Sequence, residues 1–147
     1  MNRKLLMFSC LLALVACAPA PSNTREPSAA ASAEFSVTGA EELVLAVVMS
    51  KVEVLDVSET DAAGEGTLSF SMSEMDGRGI MMSIQSQLPQ TVKFDLYMVD
   101  AQGKRHYTSS CPVMAGGGLY EMWPHPIPRI IVTNLRVLED GESMVCR

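Results

Sequence analysis

The chain lacks the sequence signatures of the common catalytic sites. It contains no Gly-x-Ser-x-Gly, no His-Glu-x-x-His and no phosphate-binding loop. Its two histidines are His106 and His125, and His106 stands beside Lys104 and Arg105, as a solvated residue would. A Ser-His-Asp triad is defined by geometry, which the sequence does not give. We therefore expect a protein that is not an enzyme and that carries no cofactor.

Positive charge is also scarce. The 11 Lys and Arg residues are outnumbered by 17 Asp and Glu residues, and the formal net charge is −6. Because there is no basic stripe, we expect no nucleic-acid partner and no docking to anionic lipid through charge. Acidity of this size is ordinary for a soluble domain and does not by itself indicate a cationic partner.

The apolar run at residues 5–16 is too short for a transmembrane helix, which needs roughly twenty residues. It follows Arg3 and Lys4 and ends in Leu14-Val15-Ala16-Cys17. A basic start, an apolar middle and a small-residue end are typical of a secretory signal. These residues resemble the lipobox of bacterial lipoproteins, whose cysteine is acylated and becomes the mature N-terminus. The alternatives are an ordinary cleaved signal or a buried core helix.

The resemblance covers residues 1–17 and implies that residues 1–16 are a signal peptide. It also implies that Cys17 carries three acyl chains, palmitate among them, which anchor the protein to a membrane. Two lipid signals already give stable anchoring, so three chains make it effectively permanent. Ala18 stands where an aspartate would favour the inner membrane in enterobacteria. The implied location is therefore the outer membrane, and we expect the periplasmic face.

Residues 17–34 predict a flexible tether. Pro, Ser and Ala dominate this stretch and no large apolar residue occurs in it, as in flexible linkers. A linker of this length has a root-mean-square reach of roughly 20–25 Å. Residues 35–147 follow as a single domain, since their number suffices for one core and not for two.

Two cysteines, Cys111 and Cys146, remain in the predicted domain. An even number of cysteines in an oxidising compartment predicts one disulfide between them. The alternative is a pair of free buried thiols. Thiol catalysis is not expected, because the chain contains no Cys-x-x-Cys.

Alternating apolar and polar residues predict an antiparallel β-sandwich, immunoglobulin- or transthyretin-like, of about seven strands. A barrel would share these signals. The hairpin at residues 91–110, which turns at Asp100-Ala101-Gln102-Gly103, is the clearest element. The predicted strands cover residues 43–49, 51–57, 67–72, 80–86, 91–99, 104–110, 119–123, 130–133 and 135–138, with the first two and the last two closely joined.

A competing signal predicts a short helix near residues 39–49. Thr38 and Glu41 have the spacing of a capping box, and Ala40, Glu41 and Glu42 suit a first helical turn. The same residues 43–49 are rich in β-branched side chains, which favour a strand. The sequence leaves the two alternatives open.

The stretch Trp123-Pro124-His125-Pro126-Ile127-Pro128 predicts a rigid loop. Tryptophan is a frequent anchor at binding surfaces, and proline presents neighbouring side chains at a low ordering cost. Trp123 and His125, with Tyr120 nearby, are therefore candidate recognition residues. The alternative is a structural corner in which Trp123 packs over the core.

Metal binding is a further hypothesis, because methionine is abundant and its thioether selects Cu(I). Met72-x-x-Met75 and Met122-Trp123-Pro124-His125 contain the residue types that periplasmic copper carriers use, but match no family spacing. Methionine also fills irregular cores, and we place no metal ligand on these residues.

From these features we predict a non-catalytic, membrane-anchored interaction or assembly module of the bacterial cell envelope, with an envelope protein as its partner. The alternatives are a periplasmic copper-binding protein that uses Met and His ligands, or a small envelope enzyme or enzyme inhibitor.

Overall fold

The computed structural model describes residues 30, 32–39, 41–76 and 79–146. The predicted signal peptide, Cys17 and most of the predicted tether lie outside these residues. Among the described residues there is no helix that is long and apolar enough to cross a membrane.

The described residues form nine strands and no helix. The strands are β1 (Phe35–Thr38), β2 (Leu43–Met49), β3 (Val54–Glu59), β4 (Thr67–Glu74), β5 (Ile80–Ser86), β6 (Val92–Val99), β7 (Arg105–Thr108), β8 (Gly118–Trp123) and β9 (Arg129–Val137). All paired strands are antiparallel, in a four-stranded sheet of order β1-β9-β6-β7 and a five-stranded sheet of order β3-β2-β4-β5-β8. This confirms the predicted antiparallel β-sandwich, with nine strands where about seven were expected.

The core lies between the two sheets and uses alternate residues of each central strand. The alternation of apolar and polar residues in the sequence predicts one inward-facing set for each of β4, β5 and β6, and every member is in the core cluster or packed against it. These residues are Leu68, Phe70 and Met72 of β4, Ile80, Met82 and Ile84 of β5, and Val92, Phe94, Leu96 and Met98 of β6. Phe70 of β4 and Phe94 of β6 are fully buried, and their rings meet edge to face with centroids 5.3 Å apart. This is a favourable geometry for two aromatic rings, and it joins the two sheets.

The helix considered for residues 39–49 is wrong, because residues 43–49 form β2. The Glu41 N–H donates to the Thr38 carbonyl at 3.4 Å, which makes a turn in place of a helix cap. Strand β2 is hydrogen-bonded to β3 on one side and to β4 on the other. Pairing with two neighbouring strands therefore favours the strand that the β-branched residues of this segment indicate over the helix.

Strand β3 begins later than the sequence indicated. The Ser50 N–H donates to the Glu53 carbonyl at 2.8 Å and closes a turn. Residues 51–53 belong to that turn, and the strand covers Val54–Glu59 in place of residues 51–57.

Strand β4 runs two residues beyond the predicted 67–72, and β7 covers Arg105–Thr108 in place of 104–110. The N-terminal and C-terminal strands also differ from the prediction. Strand β1 was not predicted and exists through its pairing with β9, from Phe35 opposite Val132 onward. Strand β9 is continuous through Asn134, where two segments were expected. Asn134 has a φ of +53° and the register against β6 shifts nearby, which marks a β-bulge.

One end of the sandwich brings together the β6–β7 turn and the loop between β8 and β9. Val99, the last residue of β6, lies opposite both Arg105 of β7 and Arg129 of β9. The loop at residues 124–128 therefore enters the four-stranded sheet beside the β6–β7 turn.

The C-terminal tail is held at two points. Cys111 and Cys146 form the predicted disulfide, which ties the tail to the segment before β8. Arg136 donates hydrogen bonds of 2.7 and 2.5 Å to the Glu142 carboxylate. This guanidinium lowers the pKa of Glu142 to about 2.

The residues before β1 form a short arm that is tied to the opposite edge of the same sheet. Arg105 of β7 donates hydrogen bonds of 2.6 and 2.9 Å to the Glu34 carboxylate. Strands β1 and β7 are the two edges of the four-stranded sheet. The arm before β1 must therefore cross the outer face of this sheet for Glu34 to reach Arg105. Ile131 alternates with the core residues Ile130 and Val132, so it points to that outer face, and yet it is buried.

Candidate functional site

Trp123 is a core residue. Its side chain is 8% exposed and belongs to the core cluster. The indole N–H donates to the Thr108 hydroxyl at 3.0 Å, and Thr108 ends β7 of the other sheet. Trp123 therefore joins the facing edges of the two sheets, as the structural-corner alternative requires.

Tyr120 and Met122 point away from the core, on the opposite face of β8. Tyr120 is 63% exposed and Met122 is 65% exposed. Met81 of β5 lies directly opposite Met122 in the pairing of the two strands. We call Met81, Tyr120 and Met122 the β8 patch. The predicted recognition residues are thus separated, because Tyr120 lies in this patch while Trp123 is buried.

Strand β8 is an edge strand and pairs only with β5 among the described strands. Edge strands are usually protected by charge or by shortness, since their unpaired backbone groups can bind another chain. Strand β3 carries Asp56 and Glu59, β7 carries Arg105 and His106, and β1 has only four residues. The outward side chains of β8 are uncharged, which distinguishes it from β3 and β7.

The single charged residue of β8, Glu121, alternates with the outward side chains and is half-buried. Its carboxylate accepts a hydrogen bond from the Cys111 N–H at 3.1 Å. Burial raises the pKa of Glu121, and the bond from Cys111 partly offsets the rise. Glu121 thus links the edge strand to the disulfide-bonded segment.

Both histidines line one open depression of about 290 Å³ at the end of the sandwich described above, which we call the histidine depression. The β6–β7 hairpin forms one wall and the proline-rich loop forms the other. The lining residues are Met98, Val99, Asp100, His106, His125, Pro126, Ile127 and Pro128.

Asp100 fixes the turn and one histidine at the same time. Its Oδ1 accepts hydrogen bonds from the Gln102 and Lys104 N–H groups at 3.0 and 2.8 Å. Its Oδ2 accepts a hydrogen bond from His106 Nε2 at 2.8 Å. The His106 bond, and then the backbone donors, lower the pKa of Asp100. The imidazole of His106 is therefore oriented by a carboxylate that the turn itself holds in place.

The chemistry that this depression offers is limited to imidazole, carboxylate and thioether groups. No serine, threonine or cysteine is among its lining residues, so it presents no hydroxyl or thiol nucleophile. In the part of the chain that the structure describes, no three His, Cys, Asp or Glu side chains are grouped so that they could hold a metal ion.

The methionines singled out in the sequence do not lie with the histidines. Met72 is buried in the core and Met122 belongs to the β8 patch. The methionine that lines the histidine depression is Met98, which packs against the core and was not among the methionines singled out from the sequence. Asp100 was identified as a turn residue, and its side-chain bond to His106 had no sequence signal beyond their closeness to that turn.

Comparison of the chain with known protein families, curated proteins and solved structures gives no match. The finer assignment of the sandwich as immunoglobulin- or transthyretin-like stays a prediction.

Proposed function

We propose that this chain is a lipoprotein of a bacterial cell envelope whose β-sandwich binds an extended segment of an envelope protein. In this proposal Cys17 is acylated and holds the domain to the outer membrane, on the periplasmic face. The module is non-catalytic, and the partner segment adds to the free edge of β8 as a further antiparallel strand.

The anchor rests on the sequence alone. Arg3 and Lys4, the apolar run and Leu14-Val15-Ala16-Cys17 occur in the order that a lipoprotein signal requires. The acyl chains and the tether would keep the domain close to its membrane, where a bound partner would also be held.

The uncovered edge of β8 is the observation that carries the binding role. Strand addition draws its affinity from main-chain hydrogen bonds and its specificity from alternate side chains. Tyr120 and Met122 are such alternate residues, and aromatic residues and methionine are enriched at protein interfaces. We infer a partner segment with apolar side chains on the face that continues the β8 patch.

Site-specific photo-crosslinking in the cells that make this protein tests the proposal. A photoreactive phenylalanine analogue replaces Tyr120 in one variant and Tyr107 in the matched control. Tyr107 is also an exposed aromatic residue on an edge strand, with 53% of its surface accessible. We expect a discrete crosslinked species from position 120 and none from position 107.

A second change shows whether the edge itself is used. Met122→Lys adds a charge of the kind that protects edge strands, and it should abolish the crosslink from position 120. Leu55→Lys, at an exposed position of β3, should leave it intact. The partner peptide identified by mass spectrometry, once synthesised, should bind the purified protein. Equal crosslinking at both tyrosines, or no effect of Met122→Lys, would overturn the binding role.

A further inference from the structure

The two histidines of the chain line one depression although they belong to different parts of the sandwich. His106 lies on β7 of the four-stranded sheet, and His125 lies in the loop that follows β8 of the five-stranded sheet. The chain has no other histidine, so both of its histidines belong to the lining of this depression. Met98 lies directly opposite His106 in the β6–β7 pairing and lines the same depression.

We propose that the histidine depression binds one Cu(I) ion through the thioether sulfur of Met98 and the imidazoles of His106 and His125. Thioether sulfur is a soft donor that selects Cu(I), and imidazole is also a good copper ligand. Two nitrogen donors and one sulfur donor suit this ion better than a hard cation, which prefers oxygen.

Asp100 is the positioning residue of this site. A metal-binding histidine usually donates its other ring N–H to a carboxylate or a carbonyl group, which fixes the ring orientation. His106 Nε2 donates to Asp100 Oδ2, and its Nδ1 is therefore the nitrogen that would bind the metal. Because backbone N–H groups of the turn hold the other oxygen of Asp100, the ring has a supported orientation.

His125 supplies the second imidazole from a restricted backbone. It is exposed and stands between Pro124 and Pro126, which limit the main-chain conformations available to it. Because it lines the same depression as His106, it is placed to supply the second imidazole.

This proposal does not depend on the acylation of Cys17 or on the β8 patch, and its test is separate. Cu(I), kept reduced by ascorbate, is titrated into the protein produced from the full chain in competition with a chromophoric Cu(I) chelator. We expect one equivalent to bind. Asp100→Asn should weaken the affinity by about 10-fold, as loss of an outer-shell partner does. Met98→Leu and His125→Asn each remove a ligand and should weaken the affinity more than Asp100→Asn does.

Controls separate the site from methionine in general. Met122→Leu and Met114→Leu remove exposed thioethers outside the depression, and each should keep the wild-type affinity. Met98→Leu conserves volume, an exchange that cores tolerate, and urea midpoints verify that every variant is folded. Absence of one tightly bound equivalent would overturn the proposal. So would a Met98→Leu variant that binds like Met122→Leu, or Zn(II) bound as tightly as Cu(I).

Discussion

Gly79 precedes β5 at a position where no side chain fits. Its φ is +153°, and a Cβ built there would overlap the carbonyl oxygen of Trp123 on the neighbouring strand. Because the overlapped atom belongs to the backbone, it cannot rotate away as a flexible side chain would. Gly79→Ala should lower the free energy of unfolding by about 2–3 kcal/mol, as measured by urea denaturation.

Gly103 provides the control for backbone conformation alone. Its φ is +80°, and a Cβ there would meet nothing within 4 Å. Gly103→Ala should therefore lower the free energy of unfolding by about 1 kcal/mol, which is the cost of the left-handed conformation alone. Equal losses in the two variants would show that Gly79 is constrained by its backbone angles and not by Trp123.

The sequence predicts which way an individual side chain points where the alternation of a strand determines it. Three residues apart in a strand, Tyr120 and Trp123 must point to opposite faces, and the structure has them so. The placement of His106 and His125 in the lining of one depression had no such signal. It depends on how the loop between β8 and β9 passes the turn between β6 and β7. The bond between Asp100 and His106 depends on side-chain rotamers, which no spacing determines.

Asn134 allows β9 to continue through its bulge. It adopts a φ of +53°, a conformation that asparagine tolerates better than most residues, and its side-chain amide donates to Asp95 Oδ2 at 2.7 Å. Asn134→Val places a β-branched residue in this conformation and should reduce the free energy of unfolding by about 2 kcal/mol.

Asn134→Gly is the matched variant, because it also loses the bond to Asp95 but accepts the positive φ. Its free energy of unfolding should fall by less than about 1 kcal/mol, since the lost hydrogen bond is exposed. Urea denaturation compares the two variants. If Gly is as destabilising as Val, the hydrogen bond and not the backbone conformation stabilises the bulge.

At the scale of whole elements, prediction succeeds where a strand carries its own pattern. Strands β4, β5 and β6 alternate over seven or eight residues, and their inward faces were correctly predicted. Strand β1 has four residues and owes its existence to β9, which lies about a hundred positions away in the sequence. The helix considered for residues 39–49 was wrong, because capping signals depend on the local sequence alone. They carry no information on the pairing of β2 with β3 and β4.

At the scale of the whole molecule, the arm and the β8 patch lie on different faces of the sandwich. The ion pair between Glu34 and Arg105 holds the arm across the outer face of the four-stranded sheet. The β8 patch lies on the outer face of the five-stranded sheet. In an anchored lipoprotein, the tether would therefore leave one face and the partner would approach the other.

The disulfide connects the fold of the whole molecule with the compartment in which it forms. The bridge between Cys111 and Cys146 closes a loop that contains β8 and β9. Loop closure of this size contributes about 3–4 kcal/mol on the chain-entropy model. Under the proposed function the protein is exported and should be oxidised, whereas a chain retained in a reducing cytoplasm should not be.

We therefore expect deletion of residues 2–17 to leave the protein in the cytoplasm with two free thiols, as counted by alkylation under denaturing conditions and mass spectrometry. Its free energy of unfolding under reducing conditions should be about 3–4 kcal/mol below that of the exported protein. The exported Cys111→Ala/Cys146→Ala variant should have the same free energy of unfolding as the reduced cytoplasmic protein, because both lack the disulfide. Free thiols in the exported wild-type protein would contradict both the compartment and the role of the bridge, whereas equal stability of all three forms would contradict only the latter.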